Sequence, residues 1–299
     1  MRATNTKKKW ILVDGHNLAF RCFYGVPTMT RSDGLHTNAI FGYVRTLMRL
    51  ESCHAPDAIC VFFDTGGSAV RKEILSTYKA NRKKMPDELA AQLDWMAKLA
   101  LALGYYVEAS SGIEADDLIG SCARKISANN ECAYIASSDK DFAQCISENI
   151  FQLLPPAGAG KPSDWQLLDE AGVYEKFGVQ NHQIVDYLSL VGDGADNIDG
   201  LAGVGPKTAV KWLSRFGSIE NIYGNVAKIQ PERFQKILLE NREILLRNQR
   251  LIKLQDIANF SLPCAEIRPN SSEVEGLLGA LEFHSILRDF RANSQRTLF

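Results

Sequence analysis

A chain of 299 residues, 45% hydrophobic and 23% charged, has apolar material for one large domain or two small ones. It contains no run of about 18 apolar residues, which excludes a transmembrane helix, and the apolar stretch after Lys7-Lys8-Lys9 is broken by Asp14 too soon for a signal peptide. The net charge of −1 argues against a nucleic-acid binder unless clustered acids and bases cancel, so the local distribution must decide.

In chain order, residues 10–14 read as a strand and 37–50 as a helix of amphipathic periodicity, followed by a strand at 58–63. Residues 65–86 are poor in apolar side chains and rich in bases, and read as exposed. Pro86-Asp87-Glu88 opens a long helix to about Leu103, with proline near its first turn and acids beside it. A strand at 105–108, a helix at 114–128 and a strand at 133–137 follow. Alternating strands and helices predict a mainly parallel sheet flanked by helices. Pro155 to Gly160 reads as a loop, the chain beyond about 180 as mostly helical, and about 272–292 as helical and amphipathic. The seven cysteines form no CxxC pair and mostly lie in apolar surroundings, as expected of reduced thiols in a cytoplasmic protein, and no zinc site is expected.

Three apolar runs end on acid. Trp10-Ile11-Leu12-Val13 meets Asp14, Ile59-Cys60-Val61-Phe62-Phe63 meets Asp64, and Ala133-Tyr134-Ile135-Ala136 passes two serines to Asp139-Lys140-Asp141. The carboxyl ends of parallel strands line the ligand crevice of an open α/β sheet. Glu114, Asp116 and Asp117 start a helix, and Asp193 and Asp196 sit in a glycine turn, making nine acids. Singly, each reads as a cap, a turn residue or a complement to a helix dipole. Together they would repel, by about 4 kcal/mol for a pair about 4 Å apart at an effective dielectric of about 20. If they converge, protons or cations must lie between them. All-oxygen donors suit Mg²⁺ or Mn²⁺, and this many acids exceeds one Mg²⁺ site. Paired ions suit phosphodiester cleavage, in which one activates the attacking water and both stabilise the phosphate charge. A haloacid-dehalogenase-type phosphatase also starts from a strand-end Asp, but it needs a second Asp where this chain has His16.

Arg71, Lys72, Lys79, Arg82, Lys83 and Lys84 surround Tyr78 directly after Asp64, where they could grip a phosphodiester while the tyrosine stacks on a base. Leu201-Ala202-Gly203-Val204-Gly205-Pro206-Lys207-Thr208-Ala209 reads as a tight hairpin opening a helix, with free N–H groups suited to an anion and with Lys207, Thr208 and Lys211 nearby. The same residues would also serve as a plain helix–turn–helix corner, and the Walker spacing is absent.

These blocks, in order, resemble the 5′→3′ exonuclease and flap endonuclease family, which includes the 5′-nuclease domain of bacterial DNA polymerase I. The matching segments are Val13-Asp14-Gly15-His16-Asn17, Val61-Phe62-Phe63-Asp64, Arg71-Lys72-Glu73-Ile74 and Tyr78-Lys79-Ala80-Asn81-Arg82. Glu114-Ala115-Asp116-Asp117, Ser137-Ser138-Asp139-Lys140-Asp141, Val191 to Ile198, Gly203 to Ala209 and Leu281-Glu282-Phe283 complete them. The resemblance implies a PIN-like core over 1–180 with a helical arch at about 66–103, a helix-hairpin-helix (H3TH) region over 181–260, and a 261–299 segment packing on the core. It assigns Asp14, Asp64, Glu114 and Asp116 to one metal ion, and Asp139, Asp141, Asp193 and Asp196 to another, with Asp117 close by.

By the same resemblance Lys79 and Arg82 contact the scissile phosphate, Tyr78 lies near a base, and Arg71, Lys83, Gly203, Gly205, Lys207 and Thr208 belong to the DNA interface. Backbone carbonyls at Leu201 and Val204 would hold K⁺. The expected activity is hydrolysis of DNA phosphodiesters at 5′ ends, flaps or nicks in replication and repair. It would use Mg²⁺, with Mn²⁺ substituting and Asp116 essential, in a cytoplasmic monomer working beside a separate DNA polymerase. A non-catalytic DNA-junction binder and a PIN-type ribonuclease are the alternatives. The sequence departs from the family at Asp199, where proline is usual, and it stops at Phe299 with no polymerase domain following.

Overall fold

A computed structural model of the chain describes residues 7–66, 68–156, 165–258, 260–264 and 266–296, with side chains as far as residue 292. The order begins β1 (Lys9–Asp14), α1 (Gly15–Gly25), α2 (Asn38–His54), β2 (Ala58–Phe62), α3 (Ala69–Ile74), α4 (Asp87–Ala102), β3 (Tyr106–Glu108), α5 (Ala115–Ala128) and β4 (Cys132–Ala136). A 3₁₀ turn (Lys140–Cys145) leads to β5 (Ile150–Leu154), β6 (Gln166–Leu168), α6 (Glu170–Phe177) and α7 (Ile184–Val191). The short strands β7 (Gly192–Asp193) and β8 (Ile198–Asp199) precede α8 (Pro206–Phe216), α9 (Ile219–Gly224), α10 (Arg233–Glu240), α11 (Arg242–Ile252), α12 (Ser271–Ala280) and α13 (His284–Arg296).

The sheet runs β3-β2-β1-β4-β5-β6, parallel except for β6, which pairs antiparallel at the edge. β1 is buried from Trp10 onward and β2 throughout, as central strands covered on both faces must be. One face packs on α1, α2, α4 and the C-terminal helices, through Ile11, Val13, Tyr43, Leu47, Met96, Leu278 and Phe290. The other packs on α5 through Leu12, Phe62, Leu118, Ile119 and Ile126. A third apolar cluster, including Leu188, Trp212, Leu213, Leu238 and Leu251, sits beneath the helical half. No helix among the described residues is long and apolar enough to cross a membrane.

The structure adds to the expected elements and corrects one of them. β5 and β6 extend the sheet beyond the strands anticipated from periodicity. The segment expected to be helical over 272–292 is helical as two pieces, α12 and α13, parted where Glu282 takes a left-handed φ of 60° and Phe283 turns into the core. Of the stretch 66–103 expected as an arch, α4 belongs to the core, with Leu89, Gln92, Met96 and Leu99 all at 0% exposure. Most of the loop expected from Pro155 to Gly160 lies outside the described residues.

Candidate active site

β2, β1 and β4 are adjacent and parallel, so their carboxyl ends deliver Asp14, Asp64 and Asp139 to one edge. Asp14 and Asp139 are also helix caps, and Asp64 accepts an amide at the start of another helix. Asp14 Oδ1 accepts the Asn17 amide at 3.0 Å, which starts α1, and its Oδ2 accepts the Ser137 hydroxyl at 3.1 Å. Asp64 Oδ1 accepts the Ala115 amide at 2.7 Å, tying the end of β2 to the start of α5. The Asp64 amide donates to His16 Nδ1 at 3.0 Å, which requires a bare Nδ1, and burial lowers the pKa of that imidazole. Asp139 accepts the Asp141 amide at 2.9 Å and opens the 3₁₀ turn that carries Asp141. The cap and site roles therefore coincide.

The first turn of α5 brings Glu114, Asp116 and Asp117 to the same edge. β7 and β8 bring Asp193 and Asp196 from the helical half. Asp141, Asp193 and Asp196 offer oxygens that all lie within 4.8 Å of one another. Asp141 Oδ1 is buried with no hydrogen-bond partner among the described residues. Burial first, then the Asp139 and Asp64 charges, pushes the Asp14 carboxyl up to about 7. Burial likewise raises the Asp116, Asp139 and Asp141 carboxyls, each further by neighbouring carboxylates. An orphaned oxygen, oxygen-only donors and mutually repelling buried carboxyls together fit hard divalent cations.

The basic segment differs from its expected exposure. Arg71 is 3% exposed. It donates to Asp117 at 2.7 and 2.8 Å, to Glu114 at 2.6 Å and to the Leu251 carbonyl at 2.9 Å. Burial opposes this guanidinium's charge, but Asp117 and Glu114 more than offset it and raise its pKa. Tyr78 is also buried and packs in the helical-half core, with its hydroxyl 3.0 Å from Asp196. Neither residue presents a surface to DNA, because the nearby acids bury them as partners. Asp117 is engaged by Arg71 and by the Gln255 amide at 2.8 Å, which makes it an anchor rather than a free ligand.

Lys79 reaches Glu114 at 2.9 Å, and Arg82 pairs with Asp196 while remaining half exposed. Lys83 is exposed. In the hairpin, Gly203 has a φ of 76° and Gly205 caps α8, whose first residue is Pro206. Lys207 is exposed, and Thr208 donates its amide to the Gly205 carbonyl at 3.0 Å. The Leu201 carbonyl accepts the Val204 amide at 3.0 Å, and the Leu201 amide bonds Leu190 in α7. Lys140, at 2.6 Å from Asp193, and Ser137 were given no role from sequence, although both lie inside the Ser137-to-Asp141 block.

Two family profiles match in tandem. One, described as the 5′-3′ exonuclease N-terminal resolvase-like domain, covers residues 9–178, and the other, the 5′-3′ exonuclease C-terminal SAM fold, covers 179–275. A 5′-3′ exonuclease of Aquifex aeolicus is 35% identical over 98% of this chain and 100% of its own length. DNA polymerase I of Bacillus caldotenax is 31% identical over 96% of this chain, which spans only 33% of that protein. Among solved structures, the bacteriophage T5 D15 flap endonuclease, determined with DNA and metal ions, aligns with a TM-score of 0.70 at 20% identity, covering 96% of this chain and 97% of that one. The catalytic core of Rad2 with DNA substrate aligns at 0.63 and 15% identity, covering 95% and 91%.

Proposed function

The chain belongs to the 5′-3′ exonuclease family, and from that premise we propose that it is a structure-selective, Mg²⁺-dependent 5′-nuclease. It would hydrolyse DNA phosphodiesters at 5′ ends and flaps during replication and repair, as a cytoplasmic monomer beside a separate DNA polymerase. The observation that carries this reading is the convergence of Asp141, Asp193 and Asp196 around an unpartnered buried oxygen, next to Asp14, Asp64, Asp116 and Asp139. The DNA and metal ions named with the T5 enzyme support the same substrate and cofactor class.

Asp14, Asp64, Glu114 and Asp116 would hold one divalent ion, and Asp139, Asp141, Asp193 and Asp196 the other. The chemistry supplied by two such ions, when bound, is activation of the attacking water and stabilisation of charge on the scissile phosphate. Lys79 pairs with Glu114 and Arg82 with Asp196, so both would be near enough to hold a phosphate and its developing charge. Arg71 and Tyr78 fix Asp117, Glu114 and Asp196 in place. The exposed Lys207, with Gly203, Gly205 and Thr208 at the start of α8, would take the duplex backbone, and carbonyls at Leu201 and Val204 would take K⁺.

The test is a 5′-flap DNA incubated with Mg²⁺ or with EDTA. Cleavage is expected only with Mg²⁺, and Asp116→Asn should lower the rate by about 100-fold or more. Cleavage in EDTA, or full activity of Asp116→Asn, would overturn the mechanism. Tight binding without cleavage at any divalent ion concentration would identify a junction binder. Preference for an RNA flap of the same sequence would identify a ribonuclease.

A further inference from the structure

β5 carries one buried polar side chain in an otherwise apolar strand. Gln152, within Ile150-Phe151-Gln152-Leu153-Leu154, is 1% exposed. A buried amide left unpaired is destabilising, so its hydrogen bonds account for its presence there. Nε2 donates to the Ser137 carbonyl at 2.9 Å and to the Asp139 carbonyl at 2.6 Å. Both partners are carbonyl oxygens that can only accept, which settles which way the amide points.

β5 pairs with β4 so that Gln152 lies opposite Ile135, one residue before the end of β4 at Ala136. The long side chain therefore reaches past the ladder into the turn Ser137-Ser138-Asp139. The other side of that turn is held by α1, where Asn17 Oδ1 accepts the Ser138 amide at 3.3 Å and its hydroxyl at 3.0 Å. Within the turn the Ser137 hydroxyl accepts the Asp139 amide at 3.1 Å and donates to Asp14 at 3.1 Å. Asp139 then accepts the amide of Asp141, whose Oδ1 has no partner among the described residues. One amide on a neighbouring strand thus sets a turn that links acids assigned to both ions. Gln152 lies outside every sequence block that carried the family resemblance.

We propose that Gln152 is a positioning residue, holding the Ser137–Asp139 turn so that Asp139 and Asp141 converge on a divalent ion. The proposal rests on the two-ion reading above. Outer hydrogen-bond partners of metal ligands typically contribute 10–100-fold to metal affinity or activity.

The volume-conserving Gln152→Met and the isosteric Gln152→Glu both remove the paired donors, while Leu153→Ala on the same strand weakens the core without touching the turn. Calorimetric titration of Mn²⁺ without DNA, flap cleavage against Mg²⁺ concentration, DNA affinity in EDTA and thermal melts are compared with wild type. Both Gln152 variants should bind Mn²⁺ about tenfold more weakly or worse, need correspondingly more Mg²⁺ for half-maximal rate, and keep DNA affinity within about twofold. Leu153→Ala should lower the melting midpoint and leave metal dependence unchanged. Should Gln152→Met fail to fold, Gln152→Glu decides. Wild-type metal affinity in a folded Gln152 variant overturns the proposal, as does an equal loss of metal affinity in Leu153→Ala. A wild-type protein that binds no divalent ion, or cuts in EDTA, defeats the two-ion reading itself and the proposal with it.

Discussion

A guanidinium at 3% exposure persists in a fold only with its charge matched and its donors used, and Arg71 meets both conditions through Asp117, Glu114 and the Leu251 carbonyl. Removing one partner of a buried pair leaves the others as uncompensated charges, which typically costs about 3–5 kcal/mol. Arg71→Met should therefore lose stability of that order in urea unfolding. The salt slope of DNA binding should stay unchanged, whereas a lost phosphate contact would lower it by about 0.9. Asp14 gives a second prediction, with the opposite relation between charge and stability. Its carboxyl is pushed up to about 7, from 3.8, so the fold holds the proton more tightly than the unfolded chain does. That contribution is fully present below the unfolded pKa and is lost as pH rises through the folded one. In EDTA the melting midpoint should therefore fall between about pH 4 and about pH 7, and Asp14→Asn should flatten part of that fall. A midpoint that rises over the same range in wild type, with no difference in Asp14→Asn, would contradict the assignment.

At the scale of elements, the hairpin before α8 is the clearest case of sequence written into structure. Gly203 takes the positive φ, Gly205 caps and Pro206 occupies the first helical position, leaving Lys207 exposed at the helix start. Lys207→Ala should weaken binding uniformly across DNA sequences and lower the slope of log affinity against log salt by about 0.9, measured by fluorescence anisotropy. The strands that lead to Asp14, Asp64 and Asp139 are equally legible, because each is a short apolar run closed by polar residues and acid. β5 was not, since a five-residue run interrupted by Gln152 has no period that separates strand from buried helix. β6 shows two exposed residues and one buried, too little for any pattern. The break at Glu282 falls on a non-glycine in left-handed conformation, so neither Gly nor Pro marks it. The burial of Arg71 and Tyr78 was hidden for another reason. Their partners Glu114, Asp117 and Asp196 are distant in the chain, and a run of bases looks solvated until its counter-charges are brought to it.

At the scale of the molecule, the acid cluster lies where two cores meet. The 3₁₀ turn bearing Asp141 belongs to both, since Phe142 and Cys145 pack beneath α5 while Ala143 and Ile146 pack with the helical half. Asp193 and Asp196 come from that helical half, joined to α7 and held by Lys140, Tyr78 and Arg82. Without an ion, Asp141, Asp193 and Asp196 place like charge across this seam, within 4.8 Å. A divalent ion binding there would convert the repulsion into a tie, and a ligand that binds only the folded state stabilises it by RT ln(1 + [L]/Kd), or about 2.7 kcal/mol at 100 times Kd. Removing one negative charge should act in two opposed ways. Asp141→Asn should raise the melting midpoint in EDTA, because the repulsion falls and the buried group no longer has to ionise. It should also abolish most of the gain that Mg²⁺ or Ca²⁺ gives wild type, a gain of several degrees if it reaches about 2 kcal/mol. Differential scanning fluorimetry across a divalent titration reads both effects in one experiment. An Asp141→Asn protein that is less stable in EDTA, or as responsive to divalent ions as wild type, would show that the carboxylate stabilises the seam without a cation.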